Sequence, residues 1–421
     1  MQFQVPNLSV HKFGGASVKD ASAVKNVETI LRNCLEAPSV VVVSAMGKTT
    51  NKLEKVYATL ISDGIDSALI VLERIILEHH QIIDELSLEL NLRELFTTAL
   101  NKAKDFKDIA AAYDEIVASG EDASTKILSA YLDSENWDVE WVDVRDIVET
   151  DARHSSARVN ETSLEQMGLG LRKTLSESSR KIIVTQGFIG KCPDGSTTTL
   201  GREGSDYSAA LLACAVGAEK VVIWKDVPGM LNADPRIFDD TETVEELDYS
   251  EALELSYYGA SVIHPRTVKP LQNLSIPLIV RSFIDLEAKQ TRVAHFPGKI
   301  PSLPMYISRP NVTRLSIGPS DKSFVGEDHL TTVFSALDSA GIHVRMMQNS
   351  AVKFDIIFDS NETKELKLVG ELGKAVWTVA TRGLELLTVR HGSDALVEKL
   401  SAGREVLMEQ KSPLTVRRLL A

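Results

Sequence analysis

Cysteine is scarce: the 421 residues hold three, Cys34, Cys192 and Cys214. An odd number at wide separations builds no disulfide framework and no metal-ligand spacing, so free thiols in a reducing compartment are expected. No apolar run is long enough to cross a bilayer. The opening residues, MQFQVPNLSVHKFGG, lack a basic segment followed by an apolar one, so no secretory leader is expected either. These absences make the cytosol the expected location. An excess of positive charge is also missing: 59 acidic residues outnumber 46 basic ones, giving a formal net charge of −13. A general nucleic-acid binder needs a basic face, and that class is excluded; a nucleotide needs only a local cationic pocket. The nine histidines form no HExxH-type ligand pattern. The balance, 25% charged and 43% hydrophobic, is that of a globular chain of about two or three domains.

The richest stretch runs from Lys181 to Arg236. Ile182, Ile183 and Val184 form a β-branched run that leads into a glycine-studded loop holding Gly201, Arg202, Glu203 and Gly204. Ser205-Asp206 then opens an Ala/Leu-rich helical segment, and Val221–Trp224 reads as a second buried strand. Strand, glycine loop, helix and strand make a βαβ unit whose loop suits an anion. Glycine lets backbone N–H groups approach closely, the helix N-terminus adds partial positive charge, and Arg202 adds a planar cationic fork. Ser205 and Asp206 equally suit plain N-capping.

A second βαβ unit opens the chain. Leu8–Phe13 is an expected strand ending at Gly14-Gly15, Ser17 a helix cap, Val18–Cys34 a helix, and Ser39–Ser44 a buried strand. Lys12 stands at the first strand's end, the usual ligand edge of an α/β sheet. Residues 51–132 read almost wholly as helix, an excursion from the sheet, and 137–150 return to strand. Residues 252–255 and 271–274 read as helix and 277–280 as strand. A boundary is expected at 295–305, where HFPGKIPSLPMY carries three prolines and a glycine. Beyond it, expected strands at 312–317, 342–347, 352–358 and 384–389 and helices at 327–340, 366–375 and 395–400, with a closing strand pair, make a βαββα unit followed by a shorter βαββ unit. Gly47-Lys48-Thr49 is no phosphate-binding P-loop, because Val42 stands where the motif needs glycine. The turns Asp226-Val227-Pro228-Gly229 and Asp234-Pro235-Arg236 are explained by their residue types, and Glu121 by a place in a helix's first turn.

Taken in order, KFGGASV, VVVSAMGKTTNKL, TLGREGSDYSAALLA, WKDVPGMLNADPR and YGASVIHPRTV resemble aspartate kinases of the amino-acid-kinase superfamily. The resemblance covers residues 12–268. It implies an α/β fold: a three-layer αβα sandwich on a mostly parallel eight-stranded sheet over 1–300, with C-terminal α+β ACT-type regulatory units over 301–421, the second one shortened. It implies transfer of phosphate from Mg·ATP to the side-chain carboxylate of L-aspartate, giving 4-phospho-L-aspartate and ADP on the route to lysine, threonine and methionine. By resemblance Lys12 and Asp206 are catalytic. Ser44, Thr50, Glu121, Arg202 and Ser205 bind aspartate, and Lys12, Gly14, Gly15, Lys225, Asp226 and Arg236 bind the nucleotide. Mg2+ arrives with ATP, without a protein metal site. A homodimer and an amino-acid effector at the ACT region are implied as partners, with no nucleic acid and no membrane. With no dehydrogenase region after the tail, a monofunctional enzyme is expected.

The chain departs from the family pattern in three places. Lys225 replaces the usual threonine of W-T-D. Ser261 replaces a frequent lysine, with Arg266 or Lys269 as candidate substitutes. In the first ACT unit Asp328-His329-Leu330 stands for G-F-L, and Arg345 for an acidic residue. A cation at 345 repels a lysine effector, so weak or absent lysine inhibition is expected. The alternatives are another kinase of this fold, acting on acetylglutamate, glutamate or a nucleotide, and a non-catalytic amino-acid sensor. Glu121, suited to a free ammonium, speaks against acetylglutamate and nucleotides.

Overall fold

The computed structural model describes residues 5–35, 38–178, 180–259 and 263–421. Ser261 lies outside the described residues. Two compact units emerge: residues 1–230, 243–256 and 261–299, and residues 231–242, 257–260 and 300–421. The expected division at 300 therefore needs amending, since 231–242 and 257–260 group with the C-terminal unit.

The first unit begins with β1 (Ser9–Phe13), α1 (Ala21–Cys34) and β2 (Ser39–Val43), followed by the helices α2 (Thr49–Asp63), α3 (Ile65–Glu85), α4 (Arg93–Asp105) and α5 (Ile109–Ser134). Then come β3 (Val139–Trp141), α6 (Glu161–Leu175), β4 (Ile182–Gln186), the hairpin β5 (Ile189–Lys191) and β6 (Thr197–Thr199), α7 (Gly204–Val216) and β7 (Lys220–Lys225). The elements β8 (Glu246–Asp248), α8 (Tyr249–Tyr258), α9 (Pro265–Asn273), β9 (Leu278–Ser282) and β10 (Thr291–Ala294) follow. Eight strands form one sheet in the order β3-β4-β2-β1-β7-β9-β10-β8. Every pairing is parallel except β9 with β10. The β-branched runs of β2 and β4 are wholly buried, as a sheet covered on both faces requires.

Two local expectations fail here. Ser17 does not cap a helix; it lies buried in a 3-10 turn over Gly15–Val18, and Asp20 caps α1 by accepting the Ala23 N–H at 2.8 Å. The strand expected over 137–150 shrinks to three residues. After Trp141 the chain turns, and the Asp143 carboxylate accepts the Arg145 N–H at 3.0 Å, a local bond that competes with a sheet ladder.

The second unit is built on β11 (Met305–Pro319), α10 (Glu327–Ala340), β12 (Val344–Asn349), β13 (Phe354–Asp359), α11 (Glu362–Leu372), β14 (Val376–Arg390), α12 (Asp394–Ser401), β15 (Val406–Lys411) and β16 (Thr415–Leu420). Its six-stranded antiparallel sheet runs β12-β13-β11-β14-β16-β15. Each long central strand, β11 and β14, spans 15 residues, where the sequence suggested one short strand apiece, 312–317 and 384–389. The sheet absorbs Pro310-Asn311 as a bulge: the register shifts between Arg309 and Val312, with Asn311 at φ +56°.

Helices α6 and α7 meet at Gly168, where a β-carbon would stand 2.3 Å from the Ala215 carbonyl oxygen. The Gly168→Ala variant is therefore expected to lose about 1–3 kcal/mol to overpacking, read by chemical denaturation.

Candidate active site

Parallel strands align their carboxyl ends, and here those ends carry charge. In the pairing of β1 with β7, Lys12 faces Ile223. Lys225 lies two residues on, so both lysines project from the same face of the sheet. The first turn of α7 brings Asp206 between them. Lys12 Nζ stands 2.6 Å from Asp206 Oδ1, and Lys225 Nζ donates to Oδ2 at 3.0 Å. Asp206 is 2% exposed and Lys12 7%. Burial pushes the Asp206 carboxyl up, but Lys12 and then Lys225 pull it below the ordinary carboxylate range. The result is a permanent anion holding two cations at one edge of a cleft.

That cleft has a volume of about 1000 Å³. Lys12, Ser44, Thr50, Glu121, Arg202, Ser205, Asp206 and Lys225 all line it, so eight of the residues singled out from the sequence converge. Four do not line it. Gly15 instead permits close packing: a β-carbon there would sit 2.6 Å from the carbonyl oxygens of Ala45 and Gly47, so only glycine lets the β1 loop press on the loop after β2. Gly14 lies beside the Lys12 ammonium, 3.4 Å from where its β-carbon would be. Asp226 is exposed, and Arg236 is bound by Asp234, with Nη2 2.6 Å from Oδ2. Of the candidate substitutes for the lysine missing at 261, Arg266 donates to the Leu200 carbonyl at 2.7 Å and covers the Tyr207 ring, while Lys269 is exposed on α9.

Glu121 sits mid-way along α5, not in a first turn. The helix is buried there because Gly120 lets it close on Leu53, Ala45 and Thr49. The Ala45 N–H donates to Glu121 Oε1 at 3.0 Å, while Oε2 is buried without a hydrogen bond. Burial raises its carboxyl to about 8, against the pull of that N–H and of Lys12.

Sequence reasoning missed several braces of this site. Asp114, fully buried, accepts the Thr199 hydroxyl at 2.6 Å and the Ser155 N–H at 2.9 Å, fixing two cleft residues. Asp122 turns away from the cleft to Arg145 and Gln186, both at 2.7 Å. Phe188, at φ +70°, covers Gly204, where a β-carbon would stand 2.7 Å from the ring. The run Ala118-Ser119-Gly120-Glu121-Asp122-Ala123 carried the available signal, two acids among small residues in a helix.

The arrangement can hold a multiply charged anion at the Lys12/Lys225 edge and an amino acid along Arg202 and Glu121. The amino acid kinase family model matches residues 7–282. Lysine-sensitive aspartokinase 3 of Escherichia coli (strain K12) is 32% identical over 365 residues, covering 83% of this chain and 78% of that protein. The solved structure of E. coli aspartokinase III in complex with aspartate and ADP aligns with a TM-score of 0.81 at 28% identity, covering 98% of this chain and 96% of that one. The chain belongs to the amino acid kinase family, among the aspartokinases. It is also 28% identical, over 88% of its length, to a bifunctional aspartokinase/homoserine dehydrogenase 2 of Arabidopsis thaliana, of which it spans only 42%. Among the described residues no helix is long and apolar enough to cross a membrane.

Glu121 couples the site to pH. Its carboxyl is raised in the folded protein from an ordinary 4.5 to about 8, so the folded state holds the extra proton. The Glu121 contribution to stability is full below pH 4.5 and is lost as pH rises through 8. The Glu121→Gln variant escapes this loss and is expected to exceed the parent by on the order of 3 kcal/mol at pH 8.5. The gap should close towards pH 4.5 in denaturant melts.

Proposed function

We propose that this chain is an aspartate kinase, transferring the γ-phosphoryl of ATP to the side-chain carboxylate of L-aspartate and releasing 4-phospho-L-aspartate and ADP. The observation that carries this reading is the buried Lys12–Asp206–Lys225 group at one edge of a cleft that also holds Arg202 and Glu121. A carboxylate oxygen attacks the γ-phosphorus, and the bond to the ADP oxygen breaks. The acceptor is already ionised near neutral pH, so no general base is needed. Catalysis reduces to alignment and neutralisation of charge.

In this reading Lys12 faces the transferring phosphoryl and Asp206 holds Lys12 and Lys225 in place until the phosphates arrive. Gly14 and Gly15 shape the loop beside them, and Lys225 and Asp226 belong to the nucleotide. Arg202 takes a carboxylate of aspartate, Glu121 its ammonium, and Ser44, Thr50 and Ser205 add hydrogen bonds. Among the described residues no group of three His, Cys, Asp or Glu side chains is arranged to hold a metal ion, and Mg2+ in this reading rides on the phosphates, whose charge it neutralises. Arrival of the ammonium draws the proton off Glu121, so aspartate binding releases a proton below pH 8. The E. coli relative was solved with aspartate and ADP, which supports the same pair here. A homodimer is part of the proposal.

The test is ADP release from Mg·ATP with L-aspartate, N-acetylglutamate and glutamate offered in parallel. Aspartate is expected to win, and Lys12→Ala and Asp206→Ala to lower kcat by about 10²–10³-fold, assayed below each variant's melting temperature with the parent's far-UV circular dichroism retained. Preference for N-acetylglutamate, or near-parental turnover by either variant, would overturn the assignment.

For regulation, Arg345 is the telling residue. With Arg309 it brackets Asp359, at 2.6 and 2.9 Å, leaving the group one positive charge in excess. His329 sits in the first turn of α10, accepting the Gly326 N–H at 3.2 Å. A lysine effector meets net repulsion at Arg345, whereas the E. coli relative was solved with lysine and aspartate. Lysine titrated into the assay is expected to leave turnover nearly unchanged; strong inhibition that Arg345→Ala abolishes would refute this.

A further inference from the structure

Five carboxylates line the cleft, and four are engaged. Asp206 holds two lysines, Glu121 accepts the Ala45 N–H, Glu54 accepts the Tyr113 hydroxyl at 3.0 Å, and Asp108 caps α5 through the Ala110 N–H at 2.8 Å. Glu203 is the fifth. Among the described residues its carboxylate has no hydrogen bond or ion pair, and its Oε2 is buried. Its backbone is left-handed, φ +54° and ψ +27°. Glycine adopts that region freely and a side-chain-bearing residue only at a cost, so such outliers concentrate where function requires them.

Arg202, the preceding residue, lines the same cleft, and no hydrogen bond or ion pair among the described residues engages its guanidinium. Opposite charges on adjacent residues are thus left unpaired, even with each other. A buried charged oxygen without a partner is unfavourable unless a ligand supplies one. The ligand that brings both counter-charges together is an amino-acid zwitterion, with carboxylate and ammonium on one carbon.

We propose that Glu203 is a specificity-determining residue that receives the α-ammonium of the amino-acid substrate beside the carboxylate held by Arg202. The inference rests on the aspartate-kinase reading of this cleft. It adds a second carboxylate to Glu121, and together they make a free ammonium a requirement.

The experiment measures KM for L-aspartate and for ATP in the parent, Glu203→Gln and Glu203→Gly, with inhibition by succinate, which is aspartate without its amino group, and thermal melting. Both variants are expected to raise the aspartate KM roughly tenfold or more and to leave the ATP KM and succinate inhibition unchanged. The glycine variant should melt no lower than the parent, because glycine accepts the left-handed backbone. An unchanged aspartate KM in both variants overturns the proposal. So does an equal rise in the ATP KM, which places the carboxylate at the nucleotide. Calorimetric titration with L-aspartate and succinate separates the two readings. Absence of phosphoryl transfer together with ammonium-dependent binding that Glu203→Gln abolishes would sink the kinase assignment and leave this one standing.

Discussion

A carboxylate removed from water must be matched by opposite charge or give up its own. Asp206 is matched twice, by Lys12 and Lys225, and the placement of all three follows from the sheet. Two neighbouring parallel strands end level, one lysine on each, two residues apart in register. The helix that follows the glycine loop starts where its first turn meets them both. Asp206 thereby holds two lysines close together, which mutual repulsion would otherwise oppose. An arriving polyphosphate finds cations already gathered and needs no reorganisation of the fold to meet them.

Around this group the backbone is held by contacts that admit no side chain. Gly15 sits against two carbonyl oxygens, Gly204 under Phe188, and Gly187 against Ser205, where a β-carbon would stand 2.6 Å from the serine's own. Asp114 ties Ser155 and Thr199 to α5. Such constraints convert a loop, ordinarily the most variable part of a domain, into a rigid wall.

Much of the fold was legible because its periods are plain. The β-branched runs of β2 and β4, the Ala/Leu-rich α7 and the long helical stretch over α2–α5 follow from local pattern. What could not be read is what distant residues decide. Pro310-Asn311 has the composition of a strand end, yet pairing with β14 both before and after it carries the strand through. Ser17 and Asp20 are both good caps, and only packing of the β1 loop selects Asp20. In the site, glycines and charges on one strand-to-helix loop marked the anion edge. The Lys225–Asp206 contact was hidden, because it joins residues 19 apart that the βαβ crossover brings together. Glu121 and Asp122 are consecutive acids on one helix, and their opposite fates depend on which side of α5 faces the cleft.

Pairing within the folded chain separates charges that support structure from those left for a ligand. Arg145 lies between Asp122 and Asp143, Arg236 on Asp234, and Arg345 on Asp359. Each must break an existing bond before it can bind anything, and for exposed pairs that bond is worth about 1 kcal/mol or less. Exposed Arg236, on half-exposed Asp234, can therefore exchange partners cheaply. Arg145, held by a buried carboxylate, cannot. Among the described residues Arg202 and Glu203 have no bond to break. The cleft thus holds, among the described residues, two unpaired charges, opposite in sign and adjacent in sequence, while its lysines are neutralised in part by Asp206. An amino acid meets bare charges and a nucleotide meets shielded ones. In the proposed reading, selection for a free ammonium rests on Glu203 and Glu121 together beside Arg202, while the Lys12–Asp206–Lys225 edge serves the phosphate donor.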